Sequence, residues 1–333
     1  MISPDTTDPD RIGASLTNLG EVILPCLDGV RARSVVEIGA SHGDFTAELL
    51  VWAARSDARV TAVDPAPERG LIELAERDAR LRLIQEPSGE ALRHLPAPDA
   101  VIVDGDHNYY TVSEELRLIA GLAGDGPGSL VLLHDVGWPH GRRDRYYEVG
   151  WIPPEHRHPV VARAHLDPAE PGIVERGLYF ESVAEREGGP GNGVLTAVED
   201  FLDAQPDLRL AVIPAFFGLA VLWPRNARWA AEIAGLVEPL DRDPLLTRLE
   251  ENRILQLVKW AAAQQAGERE VARLERELHA ERELRRRRDE FLRVLAGSRA
   301  FAVGEYASRL RHGGRPTFSR AQVRRLLEDS GPS

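Results

Sequence analysis

The chain has 333 residues, 43% of them hydrophobic, which is enough for one catalytic-sized domain with appendages. A formal net charge of −12, from 41 Lys and Arg against 53 Asp and Glu, disfavours a general affinity for nucleic acid or for an anionic membrane, because the average field repels phosphates. Lys259 is the only lysine, inside a predicted helix, and Cys26 is the only cysteine; Schiff-base chemistry, an intrachain disulfide and a Cys-rich zinc site are therefore disfavoured.

The first ten residues, MISPDTTDPD, are acidic and proline-punctuated, with neither a basic leader nor an apolar core. No apolar run reaches the ~20 residues that span a bilayer, so no membrane partner is expected. A reducing, cytoplasmic location fits. Leu16, Leu19, Ile23 and Leu27 recur at helical spacing and predict an amphipathic lead-in helix over 12–28.

Strands and helices then alternate. Apolar runs at 34–39, 59–64, 81–86, 99–105 and 129–135 are separated by the helical patterns FTAELLVWAAR, ERGLIELAERD and TVSEELRLIAGLA. This predicts an α/β, Rossmann-like, doubly wound and mostly parallel sheet, since parallel neighbours need crossovers and are covered on both faces. From Gly137 to Gly193 the chain is rich in Pro, Gly, His and Arg without clear periodicity, and is expected to be a substrate cap. LRLAVIPAFFGLAVLWP (208–224) follows, two apolar runs split at Pro214 and Ala215, which can only pair as a terminal antiparallel hairpin. The charged stretch from about Asp243 to Leu295 carries Val271, Leu274, Leu278, Phe291 and Leu295 near heptad spacing. It predicts a long helical extension for self-association as a homo-oligomer, or else a solvated helix. The expected division is a lead-in over 1–30, a domain over 31–226 with the cap inserted at 137–193, a helical extension over 227–300 and a basic tail over 301–333.

Ligands of such a sheet bind at the carboxyl ends of its strands. The turn in VVEIGASHGDFTAELL sits at the first of these ends, with Gly39 free to take a conformation closed to other residues and Gly43 opening the helix. Glu37, just before the turn, would repel a diphosphate but suits a cationic amino-acid moiety such as that of S-adenosylmethionine. Asp64, ending the second strand, is placed to accept from ribose hydroxyls. VIVDGDHNYY and LLHDVGWP bring Asp104, His107, His134 and Asp135 to the same rim, a set suited to a divalent cation, with Mg²⁺ favoured by oxygen ligands and other ions admitted by imidazole.

VVEIGASHGDFTAEL, VTAVDPAP, LIQEPSGEAL, VIVDGDHNYY and LLHDVGWP, in that order, resemble the divalent-metal-dependent O-methyltransferases of the class I fold, which act on catechols, caffeoyl esters and macrolide sugars. The resemblance covers residues 34–139 and the hairpin. It implies that Glu37, Gly39, Ser41 and Gly43 contact the methionine part of S-adenosylmethionine, that Asp64 takes the ribose, and that Ser88 lies near the adenine. Asp104, also beside the cofactor, would be a metal ligand with His134 and Asp135. His134 stands where the family places Asp, and His107 where catechol-type members place a lysine that removes the substrate proton. His107 is therefore the expected catalytic base. The cap, with Arg142, Arg143, Arg145, Tyr146, Tyr147, His156 and His158, would clamp a small hydroxylated substrate such as a natural-product sugar, or else pair with the chain's own acids. An NAD(P)-dependent oxidoreductase and a non-catalytic scaffold are the alternatives. The glycine pattern, Glu37 and the hairpin count against the first of these.

Overall fold

The computed structural model describes residues 16–124, 128–314, 316 and 319–328; the acidic first ten residues and parts of the basic tail lie outside them. The chain divides into a unit up to Ala262 and a unit from Ala263.

In the first unit a 3-10 turn (Leu16–Leu19) leads into α1 (Gly20–Val30), and the four apolar positions of the lead-in are all buried. There follow β1 (Ser34–Ile38), α2 (Asp44–Ser56), β2 (Arg59–Val63), α3 (Arg69–Arg77), β3 (Leu81–Ile84), the single turn α4 (Ser88–Ala91), β4 (Ala100–Val103), α5 (Tyr109–Leu122) and β5 (Leu130–His134). β4 and β5 are buried at every position, which is why their sequences read as unbroken apolar runs. The cap contains β6 (Val160–Asp167), β7 (Glu170–Val174) and β8 (Leu178–Ala184), and after it come α6 (Val194–Asp203), β9 (Leu208–Ile213), β10 (Leu219–Pro224), α7 (Ala230–Val237) and the start of α8 (Pro244–Gly297), whose residues from Ala263 belong to the second unit.

The main sheet has the order β3-β2-β1-β4-β5-β10-β9, and the first five strands pair in parallel as expected. β10 lies antiparallel between β5 and β9. One face packs on α1, α2 and α7 through Ile23, Leu49, Trp52 and Ile233, the other on α5 and α6 through Leu116, Ile119 and Val198. The hairpin turn is longer than a break at Pro214 and Ala215 implies. It takes in Phe216 and Phe217, whose φ values of 51° and 67° precede Gly218 at 87°.

The cap differs from its aperiodic expectation. β6, β7 and β8 form a separate antiparallel sheet, order β7-β6-β8, over a small core of Ala164, Leu166 and Val183. Three buried side chains among many polar ones leave little alternation to read.

In the second unit, α9 (Arg299–Arg311) is capped by Ser298, whose carbonyl also accepts from Arg320 of α10 (Arg320–Glu328) at 2.9 Å. Val271, Leu274, Leu278 and Phe291 of the expected seam are exposed. Among the described residues no helix is long and apolar enough to cross a membrane.

Candidate active site

The glycine turn is held from three sides. Gly39, at φ 84°, donates its N–H to Val63 O at 2.9 Å, and a Cβ there would overlap the Asp104 carbonyl, so β1 and β4 meet closely only through glycine. Ser41 takes a left-handed φ of 46° and donates its N–H to Asp64 Oδ2 at 2.7 Å, while Asp64 Oδ1 accepts from the Ala66 N–H at 2.8 Å. Asp64 thus ties the turn to the end of β2 and keeps further lone pairs on both oxygens for hydroxyl donors.

These residues open onto a cavity of about 740 Å³. Of the residues expected from sequence, Gly39, Ser41, Asp64, Ser88 and Asp104 line it. Its wall carries seven carboxyl groups, on Asp64, Glu90, Asp104, Asp106, Glu114, Glu115 and Glu148, against the single cation of Arg93. That balance suits a cationic sulfonium and opposes a diphosphate.

Glu37 and Gly43 are placed elsewhere. Glu37 is 2% exposed, lies beneath the turn and accepts a hydrogen bond from Thr46 Oγ1 at 2.6 Å. Burial pushes its pKa up to about 7, Thr46 opposing and the Asp104 and Asp64 charges adding. The charge preference that the sequence assigns to Glu37 is therefore carried at the cavity wall by the other acids. Gly43, at φ 86°, opens α2 with its Cα facing Leu71 and Leu74 of α3, so it serves packing between helices.

Among the described residues, Asp104, His107 and Asp135 form a group whose potential ligand atoms all lie within 4.8 Å of one another. Asp135 follows β5 at φ 59°, a backbone state uncommon for a residue with a Cβ and found preferentially where function demands it. Its Oδ2 lies 3.1 Å from His107 Nε2, and the His107 ring stacks on His140 at 5.5 Å. Burial drives the His107 pKa down to about 3, against the pull of Asp135 and with His140 and Arg145 adding to the fall. The imidazole is thus neutral, with a lone pair to offer. Two carboxylates and one neutral imidazole fit Mg²⁺, Mn²⁺ or a similar divalent ion.

His134, named with Asp104 and Asp135 in the expected ligand set, is not in this group. Its Nδ1 is 2.9 Å from Asp104 Oδ1 and its Nε2 is 2.7 Å from Phe216 O, so both ring nitrogens are engaged. Burial opposes its charge, but Asp104, Asp135 and the two hydrogen bonds prevail and push its pKa up to about 10. His134 is a positioning residue that fixes Asp104. His107, expected as the base, takes the third place in the group.

Most of the cap cluster holds the cap itself. Arg143, 1% exposed, donates to the carbonyls of Ala184, Glu185 and Pro171; Tyr146 donates to Asp144; Arg142 pairs with Glu199 at 2.7 Å. His158 bonds Gly191 O, and His156 stacks on Tyr110. Tyr147, under the Arg145 guanidinium at 4.4 Å, lines the cavity with Tyr110 and Trp151. Sequence reasoning passes over Glu115 and Trp151. Glu115 has a legible signal, an acid in the apolar stripe of Val112, Leu116 and Ile119.

Residues 36–136 match a family model described as a methyltransferase domain. In outline the structure is similar to the S-adenosylhomocysteine-bound methyltransferase PaMTH1 of Podospora anserina, at 17% identity and TM-score 0.42 over 66% of this chain and 83% of that one. It is similar also to the 1,6-didemethyltoxoflavin-N1-methyltransferase of Burkholderia thailandensis, at 18% and 0.36 over 64% and 79%, and to a methyltransferase from Geobacter sulfurreducens, at 15% and 0.35 over 67% and 91%. No curated protein sequence matches the chain. The stretch matched by the methyltransferase-domain model, residues 36–136, thus carries the glycine turn, the acid closing β2 and four of the five parallel strands of a Rossmann-like sheet in full, on a sheet completed by the antiparallel β10.

Proposed function

We propose that the protein is an O-methyltransferase that uses a divalent cation to position a small hydroxylated acceptor, such as a natural-product sugar. The observation that carries this reading is the double membership of Asp104, which lines the cofactor cavity and belongs to the Asp104–His107–Asp135 group. The acceptor oxygen and the methyl donor are thereby brought to one carboxylate.

Asp104, His107 and Asp135 would hold the cation, which when bound orients neighbouring acceptor oxygens and lowers the pKa of the attacking one. Asp64 accepts from the ribose hydroxyls, and Gly39 and Ser41 give the methionine end of the cofactor close approach to backbone. His134 keeps Asp104 in one rotamer. Tyr147 and Trp151 of the cap line the cavity and offer aromatic faces to the acceptor. The methyl carbon leaves sulfur and bonds to oxygen, the hydroxyl proton passes to solvent water, and S-adenosylhomocysteine and a methyl ether result. Holding both reactants in one pocket removes much of the entropic part of the barrier.

The test is methyl transfer from labelled S-adenosylmethionine into a panel of diols and sugars, with Mg²⁺ or with EDTA, beside calorimetric titration with S-adenosylhomocysteine and NADH. Activity that persists undiminished in EDTA refutes the cation, and binding of NADH alone refutes the methyl donor.

A further inference from the structure

The three arginines of the cap's RRDR stretch use their charge differently. Arg142 pairs with Glu199 and Arg143 donates to three carbonyls, but no N–H of the Arg145 guanidinium reaches an acceptor among the described residues. Its central carbon lies over the Tyr147 ring at 4.4 Å and over the Phe180 ring of β8 at 5.7 Å. Ring contacts of this kind engage the face of a guanidinium and leave the donors at its edge. Arg145 is half-buried and Tyr147 is 59% exposed, so the pair is within reach of solvent.

The backbone fixes where this guanidinium sits. The Arg145 N–H donates to His107 O at 2.9 Å, and on either side of it the Asp144 carbonyl accepts from Ala184 and the Tyr146 N–H donates to Ser182 O, both in β8. The side chain is then joined to the His107 imidazole along two lines of rings. One is Tyr147, 5.7 Å from His107; the other is Phe180 and His140, the latter stacked on His107 at 5.5 Å. The Arg145 charge is felt across them, adding to burial in lowering the pKa values of His107 and His140.

The balance of charge says what Arg145 can take. A divalent ion on the Asp104–His107–Asp135 group balances its two carboxylates, and Arg145 remains beside that group as a cation with no acid bonded to it. Arg145, like His107 and Asp135, does not belong to the acidic cavity wall, so an anion placed on it stands clear of those acids. We propose that Arg145 receives an oxyanion of the acceptor, a carboxylate or a phosphate carried on the same molecule as the hydroxyl that meets the cation, so that the substrate class is an acidic sugar or a similar hydroxylated acid. The oxyanion takes the edge donors of the guanidinium in paired hydrogen bonds while Tyr147 and Phe180 hold its face. This rests on the methyl-transfer reading above.

The experiment is calorimetric titration of the full chain, loaded with S-adenosylhomocysteine and Mg²⁺, with glucuronate, galacturonate and glucose 6-phosphate, and with glucose and galactose as their neutral counterparts. At least one oxyanion sugar is expected to bind about tenfold or more tighter than its neutral counterpart, a uronate leading where the natural group is a carboxylate and the sugar phosphate where it is a phosphate. Arg145→Met keeps an unbranched chain over the rings and removes the donors, so it brings charged and neutral sugars level. Arg142→Met, whose arginine is already paired, leaves the preference in place. Equal binding of charged and neutral sugars by the unsubstituted protein, or binding of none of them, overturns the proposal without any variant having to fold, and so does a preference that survives Arg145→Met. Failure to bind S-adenosylhomocysteine, seen before any sugar is added, overturns the methyl-transfer reading and the proposal with it, an outcome distinct from a loaded protein that does not discriminate.

Discussion

His134 Nδ1 meets Asp104 Oδ1 at 2.9 Å while the opposite nitrogen of the same ring meets the carbonyl of Phe216 at 2.7 Å, so the carboxylate at the heart of the rim is braced against the hairpin turn. Outer-shell partners of this kind set ligand orientation, and their loss typically costs about 10–100-fold in metal affinity or activity. His134→Leu is therefore expected to raise the Mg²⁺ concentration needed for half-maximal methyl transfer by about tenfold or more. Binding of S-adenosylhomocysteine without metal should change little, since His134 does not line the cavity. A metal titration of activity beside metal-free calorimetry separates the two effects.

The brace has its own support. Glu250, near the start of α8, accepts from the N–H groups of Phe216 and Phe217 at 3.1 and 2.8 Å, and Arg253, bonded to Glu250, lies over the Phe217 ring at 4.4 Å. Two left-handed phenylalanines in succession are held there by a carboxylate on a helix remote in sequence. Glu250→Ala strips both amides of their acceptor and should cost about 1–3 kcal/mol, a fall of several degrees in melting temperature on the order of 2–4 °C per kcal/mol. Through Phe216 O and His134 it should also weaken metal activation in the direction of His134→Leu. Unchanged metal activation in a folded Glu250→Ala protein would separate the turn from the site.

Glu37 gives a pH signature. Its carboxyl is raised from 4.5 to about 7, chiefly by burial, so the folded protein holds a proton that the unfolded chain has released. The associated stability is complete below the unfolded value and is lost as pH rises through about 7. Glu37→Gln keeps the neutral form and its bond to Thr46 at every pH. Its melting temperature should be close to that of the unsubstituted protein at about pH 5 and higher at about pH 9, by on the order of 5 °C. A difference that stays constant across that range would mean that Glu37 does not titrate as its burial requires.

The same residue shows how far the sequence could be read. The five parallel strands and their helices are legible because both faces of each strand are buried, which leaves unbroken apolar runs with helical stripes between them. The face of a single polar residue is a matter of parity. Val35 packs toward α1 and α2 while Val36 and Ile38 pack toward α5 and α6, so Glu37 shares the Val35 face and meets Thr46 of α2 instead of the cavity. His134 follows Leu130 and Leu132 in the same alternation, and engages the hairpin turn, whose five residues local pattern leaves ambiguous. The cap sheet is the least legible part. Its strands are short and mostly exposed, and only Ala164, Leu166 and Val183 form its buried core.

The two glycines of the turn, alike in sequence, should separate in experiment. Gly39 and Gly43 have nearly the same φ, 84° and 86°, so alanine at either strains the backbone by about 1–2 kcal/mol. Their surroundings differ. A Cβ on Gly39 runs into the Asp104 carbonyl and the Gly105 Cα, rigid backbone that can yield only by moving β4 and with it Asp104. A Cβ on Gly43 meets the mobile end of Leu74 at 2.9 Å and the Leu71 Cα at 3.2 Å, away from the cavity. Gly39→Ala should therefore lose S-adenosylhomocysteine binding by about tenfold or more as well as stability, since it displaces the wall that receives the ligand. Gly43→Ala should lose stability and, once folded at low temperature, bind with nearly unchanged affinity. Calorimetry at 10 °C on both variants, beside their thermal melts, makes the comparison, and equal loss of binding in the two would place Gly43 at the ligand after all.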